Sequence, residues 1–552
     1  MQKKILNIQQ AFNLATQFLS ERNLKQAKTI CEAILAVNPH HADTYDLLGQ
    51  LFSYQNYFDE AKKQFAKAVA LDDENASYLM HLGTAYFYLE HYDLAIEYLL
   101  KSKKQNDSVP ELYYNIGLVL QSVGNIQKAQ AFYRYAIKLK PNYAKPYNNL
   151  GTLALQYGRI NQAEYYLKNY RSLKPDSING LVNLANVNIY RLNFNEAKIQ
   201  LADALAQEPK KACIYSAYAQ LYKFCGQSEN EITYCRKAID LDANNPTYHV
   251  NIALALLAKE ITLEGFEEYE WRLQQFYYKN LLSRFKLPMW QGENLNGKIL
   301  LVNAEQGFGD VLQFTQILKL VKTSSNKIIL RVREPLVELL RTLPWADEVI
   351  SVEDILPVYD FHIPLISIFY YSRFNIKDFK PESAYLKAPR SLVMSWQDKI
   401  QPLDKFNIGI CCSGNKEQVL NTFREVELNK VLTLKISDNI QFYNLQMMLS
   451  PTEKQLLASH QVINLMPFVK SFADTAALIM QLNLVITVDT AIAHLAAALG
   501  KEVWLMQSKL IDWRYTVKNG HPFTYPTMRI YSQKKLMQWG DVLLNISKDL
   551  AE

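Results

Sequence analysis

The sequence predicts an α-helical solenoid followed by two α/β halves built on parallel sheets. Three observations carry that prediction. A 34-residue frame recurs eight times from Ile8 without an insertion or deletion. After residue 297 the texture changes to short β-branched runs alternating with helical patterns. Residue usage splits at the same place, because 27 of the 35 tyrosines precede residue 281. Glycine totals only 18, which disfavours a loop-rich all-β chain.

The frames begin at residues 8, 42, 76, 110, 144, 178, 212 and 246. Position 8 is always small: Ala15, Gly49, Gly83, Gly117, Gly151, Ala185, Ala219 and Ala253. Position 20 is alanine from Ala27 through Ala197, then Glu231 and Gly265. Small residues at both positions let two antiparallel helices approach closely, and Pro39, Pro141, Pro175 and Pro209 at position 32 end the second helix. Large residues such as Tyr45, Leu48, Phe52 and Phe65 fill the space between helices, and Gly124, Gly158 and Gly226 mark the turn. This pattern resembles the tetratricopeptide repeat over residues 8–279. The resemblance implies a superhelix with a concave groove that binds protein. Position 6, on the groove side, holds Asn13, Asn115, Asn149, Asn183 and Asn251. An asparagine ladder there can hold an extended peptide by donor and acceptor alike, as in O-GlcNAc transferase. Plain repeat consensus is the weightier explanation, and Leu47, His81 and Ala217 interrupt the row.

The second half carries strands at 298–304, 327–332, 407–412, 439–447 and 483–488. The first set ends near His362–Ile368, and a polar, proline-flanked stretch from Ala388 to Lys405 precedes the next. Two doubly wound domains are therefore expected, 280–390 and 391–552, with ligands at the carboxyl ends of the strands.

Three stretches carry chemistry. In Asn303-Ala-Glu-Gln-Gly-Phe-Gly-Asp310, a strand opens into a helix; Gly307 and Gly309 allow close approach, and Asp310 falls near the helix start. An N-cap aspartate is the plain alternative. A dinucleotide fingerprint is missing its third glycine and acidic partner, which argues against a dehydrogenase. In Val485-Ile-Thr-Val-Asp489-Thr490-Ala491-Ile-Ala-His494, exposed first-turn amides suit a diphosphate and Asp489 suits sugar hydroxyls. His494 either donates to a phosphate or simply packs. In Cys411-Cys412-Ser413-Gly414-Asn415-Lys416, followed by Arg424, the loop offers hydroxyl, backbone and cation to a phosphate, though Lys416 also reads as a solvated lysine.

Together these segments resemble the glycosyltransferase module fused to tetratricopeptide repeats in bacteria, related to heptosyltransferases and built on the GT-B fold of two Rossmann-like domains. The landmarks are GFEEYEWR at 265–272, LPMWQGENLNGKILLVNAEQGFGD at 287–310, DFHIPLIS at 360–367, SGN at 413–415, the run at 472–501, DWR at 512–514 and YPTMR at 525–529. The resemblance implies inverting, metal-independent transfer from a nucleotide-diphosphate sugar, needing no cofactor. Asp310 matches the general base, Asp489 the donor-sugar ligand, and Thr490, Ala491 and His494 the diphosphate clamp. His362 matches a histidine on the acceptor side. One region departs: where relatives carry histidine, aspartate and two arginines, this chain has Gln418, Asn421, Thr422 and Arg424. That departure implies a changed or weakened donor site, or a domain that has lost activity. Three functional readings stand: a protein glycosyltransferase, one acting on glycan or lipid-linked acceptors, and a repeat scaffold with a degenerate nucleotide-sugar domain.

Bulk composition sets further bounds. The 552 residues are 49% hydrophobic and 21% charged, and the usual domain size of about 150 residues gives three or four domains. Before residue 281 there are 30 basic and 28 acidic side chains, and after it 30 and 26, so nucleic-acid binding is not expected. The N-terminus lacks an apolar signal-peptide core, and the most apolar stretch, 484–506, contains Asp489, His494, Lys501 and Glu502, so no membrane span is expected. Six cysteines without metal spacing fit a reducing, cytoplasmic compartment.

Overall fold

The computed structural model describes residues 7–375, 377–400, 404–415, 420–510, 512–518 and 521–552. The chain forms two compact units, Met1–Ala154 with Asn161–Gly180 and Leu155–Ile160 with Leu181–Glu552.

The first unit consists of helical hairpins of the tetratricopeptide type. First helices start at Ile8, Ala42, Ala76, Pro110 and Ala144, each at frame position 1. Second helices start at Leu24, Phe58, Tyr92, Ile126 and Ile160, each at position 17. The small residue at position 8 is forced by packing: a Cβ on Gly117 would lie 2.5 Å from the Tyr133 ring. The turn at position 15 is left-handed not only at Gly124 (φ 80°) but also at Arg22, Asn56 and Glu90. There the hairpin holds non-glycine residues in a conformation that costs each about 1 kcal/mol.

The second unit begins with repeat helices and continues into two parallel sheets. Helices Ile178–Tyr190, Phe194–Gln207, Ala212–Cys225, Ser228–Leu241 and Pro246–Lys259 keep the frame. The last partner helix, Leu263–Glu270, is short and runs into a 3-10 turn, Trp271–Gln274, and the helix Phe276–Leu282. In the first sheet, strands β1 (Ile299–Asn303), β2 (Lys327–Val332), β3 (Glu348–Ser351) and β4 (Phe361–Pro364) lie in the order β3-β2-β1-β4. The second sheet comprises β5 (Phe406–Cys411), β6 (Ile440–Asn444), β7 (Leu484–Val488), β8 (Glu502–Gln507) and, after the small hairpin β9 (Val517–Lys518) and β10 (His521–Pro522), β11 (Met528–Ser532). Its order is β11-β8-β7-β5-β6, and every pairing within both sheets is parallel. Both faces are covered, so β6 and β7 are buried at every residue; β7 reads as an apolar run broken only by Thr487, while β6 buries Gln441 and Asn444 as well.

Strand order reverses between β1 and β4 in one sheet and between β5 and β7 in the other. Crevices at the carboxyl ends of such strands are where an open parallel sheet binds its ligand. The helix Phe308–Phe314 after β1 packs directly on the helix Ala491–Ala498 after β7, bringing the two crevices together. Glycine is required at this crossing: a Cβ on Gly309 would meet His494 Cδ2 at 2.8 Å and Ala491 Cα at 3.5 Å.

Candidate functional site

The site grows from three chain segments. After β1, Gly307 occupies the N-cap of the helix Phe308–Phe314, and its φ of −61° is ordinary for any residue. Asp310 is therefore not the cap but the third helical residue. Its Oδ2 accepts from the Gly307 N–H at 3.1 Å, and its Oδ1 accepts from Arg514 at 3.1 Å. After β7, Thr490 is the N-cap of Ala491–Ala498 without a side-chain cap bond; its hydroxyl instead lies 3.2 Å from that of Thr487. The first-turn amides of that helix are left uncapped by any side chain.

The third segment follows β8 and was recognised in the sequence only as the DWR landmark. Asp512 caps a 3-10 turn, Trp513–Tyr515, by accepting from the Arg514 N–H at 3.0 Å. Trp513 stacks on Phe314 with ring centroids 5.0 Å apart, and the Thr516 hydroxyl donates to Leu257 O at 2.8 Å. Anchored on both sides, the turn projects Arg514 between the two sheets. Its guanidinium donates to Asp310 at 3.1 Å, to Asp489 Oδ2 at 3.0 Å and to both Asp512 oxygens at 2.9 Å. Arg424 also donates to Asp489 Oδ2, at 3.2 Å, and the Tyr515 hydroxyl donates to Asp489 Oδ1 at 2.7 Å. One guanidinium thus joins the two aspartates singled out from sequence.

Burial pushes the Asp489 carboxyl upward, but Arg514, His494 and Arg424 outweigh it and hold the group well below the usual carboxylate range. Asp512 is likewise held low, because Arg514 overcomes its burial. Burial and the neighbouring Asp489 push the Tyr515 hydroxyl far upward, so it remains a donor. His494 is fully buried and stacks on Tyr515; its Nε2 lies 3.0 Å from the Tyr515 hydroxyl, and its Nδ1 has no partner.

The network itself opens onto a small cleft of about 50 Å³, lined by Arg424, Asp489, Asp512 and Tyr515. A larger cavity of about 710 Å³ is lined by Phe308 and Pro335 of the first α/β half and by loops of the second, with none of the network's aspartates or arginines in its wall. Phe308 and Phe472 wall one side, and Ser413, Gln446, Met448 and Thr490 the other. Gly414, Asn415 and Ala491 also line it. Within the loop after β5, however, the Gly414 N–H donates to Asn421 Oδ1 at 3.1 Å, and the Ser413 hydroxyl donates to Glu425 at 3.1 Å. Asn421, at one of the departing positions, has therefore become an internal brace. Lys416 and Gln418 lie outside the described residues.

Other sequence candidates are not brought here. His362, on β4, stacks on Phe285 at 4.5 Å, and its Nδ1 finds no partner. Burial lowers its pKa to about 4, so at neutral pH it is an uncharged packing residue. Asn115 Nδ2 donates to the Thr84 hydroxyl at 2.9 Å and Asn149 Nδ2 to the Tyr133 hydroxyl at 3.1 Å, so both brace neighbouring helices. Asn183 and Asn251 are half-buried on their helices. Among the described residues no group of three or more His, Cys, Asp or Glu side chains is placed to hold a metal ion, and no helix is long and apolar enough to cross a membrane.

Comparisons with known proteins agree with the two-part reading. Residues 444–504 match the model of glycosyltransferase family 9 (heptosyltransferase). That segment contains Asp489, Thr490, Ala491 and His494, but neither Asp310, Arg424 nor Arg514. Tetratricopeptide repeat models match residues 47–110, 110–143 and 214–245. No curated protein matches the chain. Among solved structures, the chain is similar to PilF of Pseudomonas aeruginosa at 20% identity, covering 38% of this chain and 94% of that one with a TM-score of 0.35. It is also similar to the Cut9-Hcn1 hetero-tetramer of APC/C, at 20% identity over 50% of this chain and 55% of that one (TM-score 0.39). A third likeness is to YrrB, a repeat protein with an unusual peptide-binding site, at 23% identity over 32% and 90% (TM-score 0.27). At these TM-scores none of the three bears on the site.

Proposed function

We propose that this chain is an inverting, metal-independent glycosyltransferase of the GT-B type, moving a sugar from a nucleotide diphosphate to a hydroxyl on a polypeptide. One observation carries the reading. Asp310 and Asp489 stand at the carboxyl ends of two parallel sheets, linked by one guanidinium, and Thr490 and Ala491, next along the chain from Asp489, line a cavity of about 710 Å³.

In this reading the diphosphate lies against the uncapped amides of Ala491–Ala498, where the helix dipole favours an anion. Asp489 positions the sugar. Asp310 takes the proton of the acceptor hydroxyl as its oxygen forms the new bond to the anomeric carbon and the bond to the diphosphate oxygen breaks. Arg514 and Arg424 neutralise the charge that develops on the leaving group, the task that a metal performs elsewhere. General base catalysis of this kind contributes about 10²–10⁴ in rate. The repeats present the polypeptide, and six free cysteines suit a reducing cytoplasm.

A second reading, a repeat scaffold with a degenerate nucleotide-sugar domain, is favoured by the Asn421 brace, which occupies the Gly414 amide. The two are separated by incubating the protein with a panel of radiolabelled nucleotide sugars and a lysate. Labelled protein with the wild type, and at least a hundredfold less with Asp310→Asn, is expected. Nucleoside diphosphate binding without any transfer would leave the scaffold reading standing. Label in glycan or lipid alone would overturn the polypeptide acceptor.

A further inference from the structure

A second cavity, of about 450 Å³, opens at the carboxyl ends of β1, β2 and β3. Its wall includes Asn303, Gln306, Tyr277 and three arginines, Arg284, Arg331 and Arg333. Arg331 is only 6% exposed. Its Nη1 donates to Asn303 Oδ1 at 3.0 Å and its Nη2 to the Val352 carbonyl, while its Nε has no partner. Among the described residues no carboxylate forms an ion pair with it. Burial and the nearby Arg284 charge both lower the Arg331 pKa, with Asp354 offsetting only part.

A buried cation among neutral acceptors is costly unless an anion completes it. The acids at hand do not. Glu305 is taken by Arg272 at 3.0 Å and by the Leu365 N–H at 3.0 Å. Glu353, the other acid in the wall, is exposed. Arg333 is fixed on the same side, donating to Gln306 O at 3.1 Å with its guanidinium over the Phe308 ring. Three guanidiniums therefore face a space with one free carboxylate.

We propose that this cavity is an oxyanion subsite for the acceptor, taking a carboxylate or phosphate carried by the acceptor polypeptide near the hydroxyl that is glycosylated. The proposal rests on the transferase reading above. Two features tie the cavity to the acceptor. Gln306 in its wall lies in the loop after β1, four residues before Asp310 in the first turn of the helix that this loop opens. Tyr277, Leu281 and Arg284 in its wall come from the end of the last repeat frame and the segment just after it, so the wall is built in part by the chain that joins the repeats to the first sheet. A planar guanidinium pair suits the two oxygens of a carboxylate or phosphate.

The test has two arms on the full chain. Crystals soaked in tungstate are expected to show an anomalous peak between Arg284 and Arg331, absent in Arg284→Ala. Label transfer onto a Ser/Thr peptide array is expected to favour acidic flanks at least tenfold. In Arg331→Gln and in the exposed variant Arg284→Ala that preference falls below twofold, with thermal melts monitoring folding. No tungstate peak in the wild type, or labelling indifferent to acidic flanks, overturns the subsite. A peak with no peptide labelled, and label in an acidic saccharide instead, keeps the oxyanion but overturns its polypeptide source. A peak with no transfer to any acceptor fails the transferase reading, not the anion site.

Discussion

Two arginine clusters lie between the last repeat and the sheets, and they are built to opposite ends. Arg272 donates to Glu270 at 2.6 Å, to Glu305 at 3.0 Å and to the Ser367 hydroxyl at 2.8 Å, with its guanidinium over the Tyr269 ring. Its side chain is 2% exposed and that of Glu305 is not exposed at all. Arg514 makes four bonds to three carboxylates, twice as many, yet Asp310 is 22% and Asp512 37% exposed, and Asp489 and Asp512 line a small cleft. The first cluster is largely buried and locks the repeat end to β1 and β4, with only an edge of Glu305 reaching the wall of the 450 Å³ cavity. The second is reachable, so a ligand can exchange partners with it. Counting ion pairs would rank Arg514 as the more firmly locked; burial of the acids reverses that order.

Removing each arginine breaks this comparison most directly. Arg272→Met leaves the buried Glu305 and the half-buried Glu270 without their cation and is expected to cost about 3–5 kcal/mol in urea unfolding of the second unit. A loss below about 1 kcal/mol would mean that water reaches the cluster and the contrast is false. Arg514→Met is expected to cost less, about 1–2 kcal/mol, because hydration takes over at Asp310 and Asp512. It removes most transfer activity, measured with the labelled sugars, and equal losses of stability in the two variants would erase the distinction.

Two smaller changes sharpen it. Gly309→Ala drives a methyl into His494 at the crossing of the two site helices and is expected to cost about 1–3 kcal/mol from overpacking. Its diagnostic is nucleoside diphosphate affinity by calorimetry, which falls because the crevices part; unchanged affinity would show that the helices slide freely. His362 tests pH. Its folded pKa of about 4 lies below the unfolded value near 6.5, so the unfolded chain takes up a proton that the folded chain refuses. Stability is therefore lost as pH falls from about 6.5 to about 4, and His362→Phe is expected to flatten that loss in urea midpoints at pH 7 and pH 5. Parallel profiles for variant and wild type would return His362 to the list of solvated groups.

Much of the architecture was legible because its causes are local. A repeat that must place a small residue opposite a large one every 34 positions announces its own helices, and the observed starts at positions 1 and 17 follow from that periodicity. Strand-to-helix turns after β1 and β7 were equally visible, since parallel strands buried on both faces are largely apolar runs. Even so, position 15 was legible only where it held glycine. Arg22, Asn56, Glu90 and Leu192 adopt the same left-handed turn because the hairpin around them fixes it.

The site was half legible. Asp310 and Asp489 stood out because each opens a helix after a strand, and Arg514 had only its place in a landmark as a signal. Nothing in a one-dimensional chain says that a residue 204 positions after Asp310 donates to it. The sequence by itself determined the repeat, the two parallel sheets and the residues at their strand ends, through periodicity and local helix chemistry. Only the tertiary structure decided that His362 packs against Phe285, that Asn421 braces the loop after β5, and that Arg331 stands buried without an anion. Burial and pairing are properties of what surrounds a side chain, and those surroundings come from distant parts of the chain.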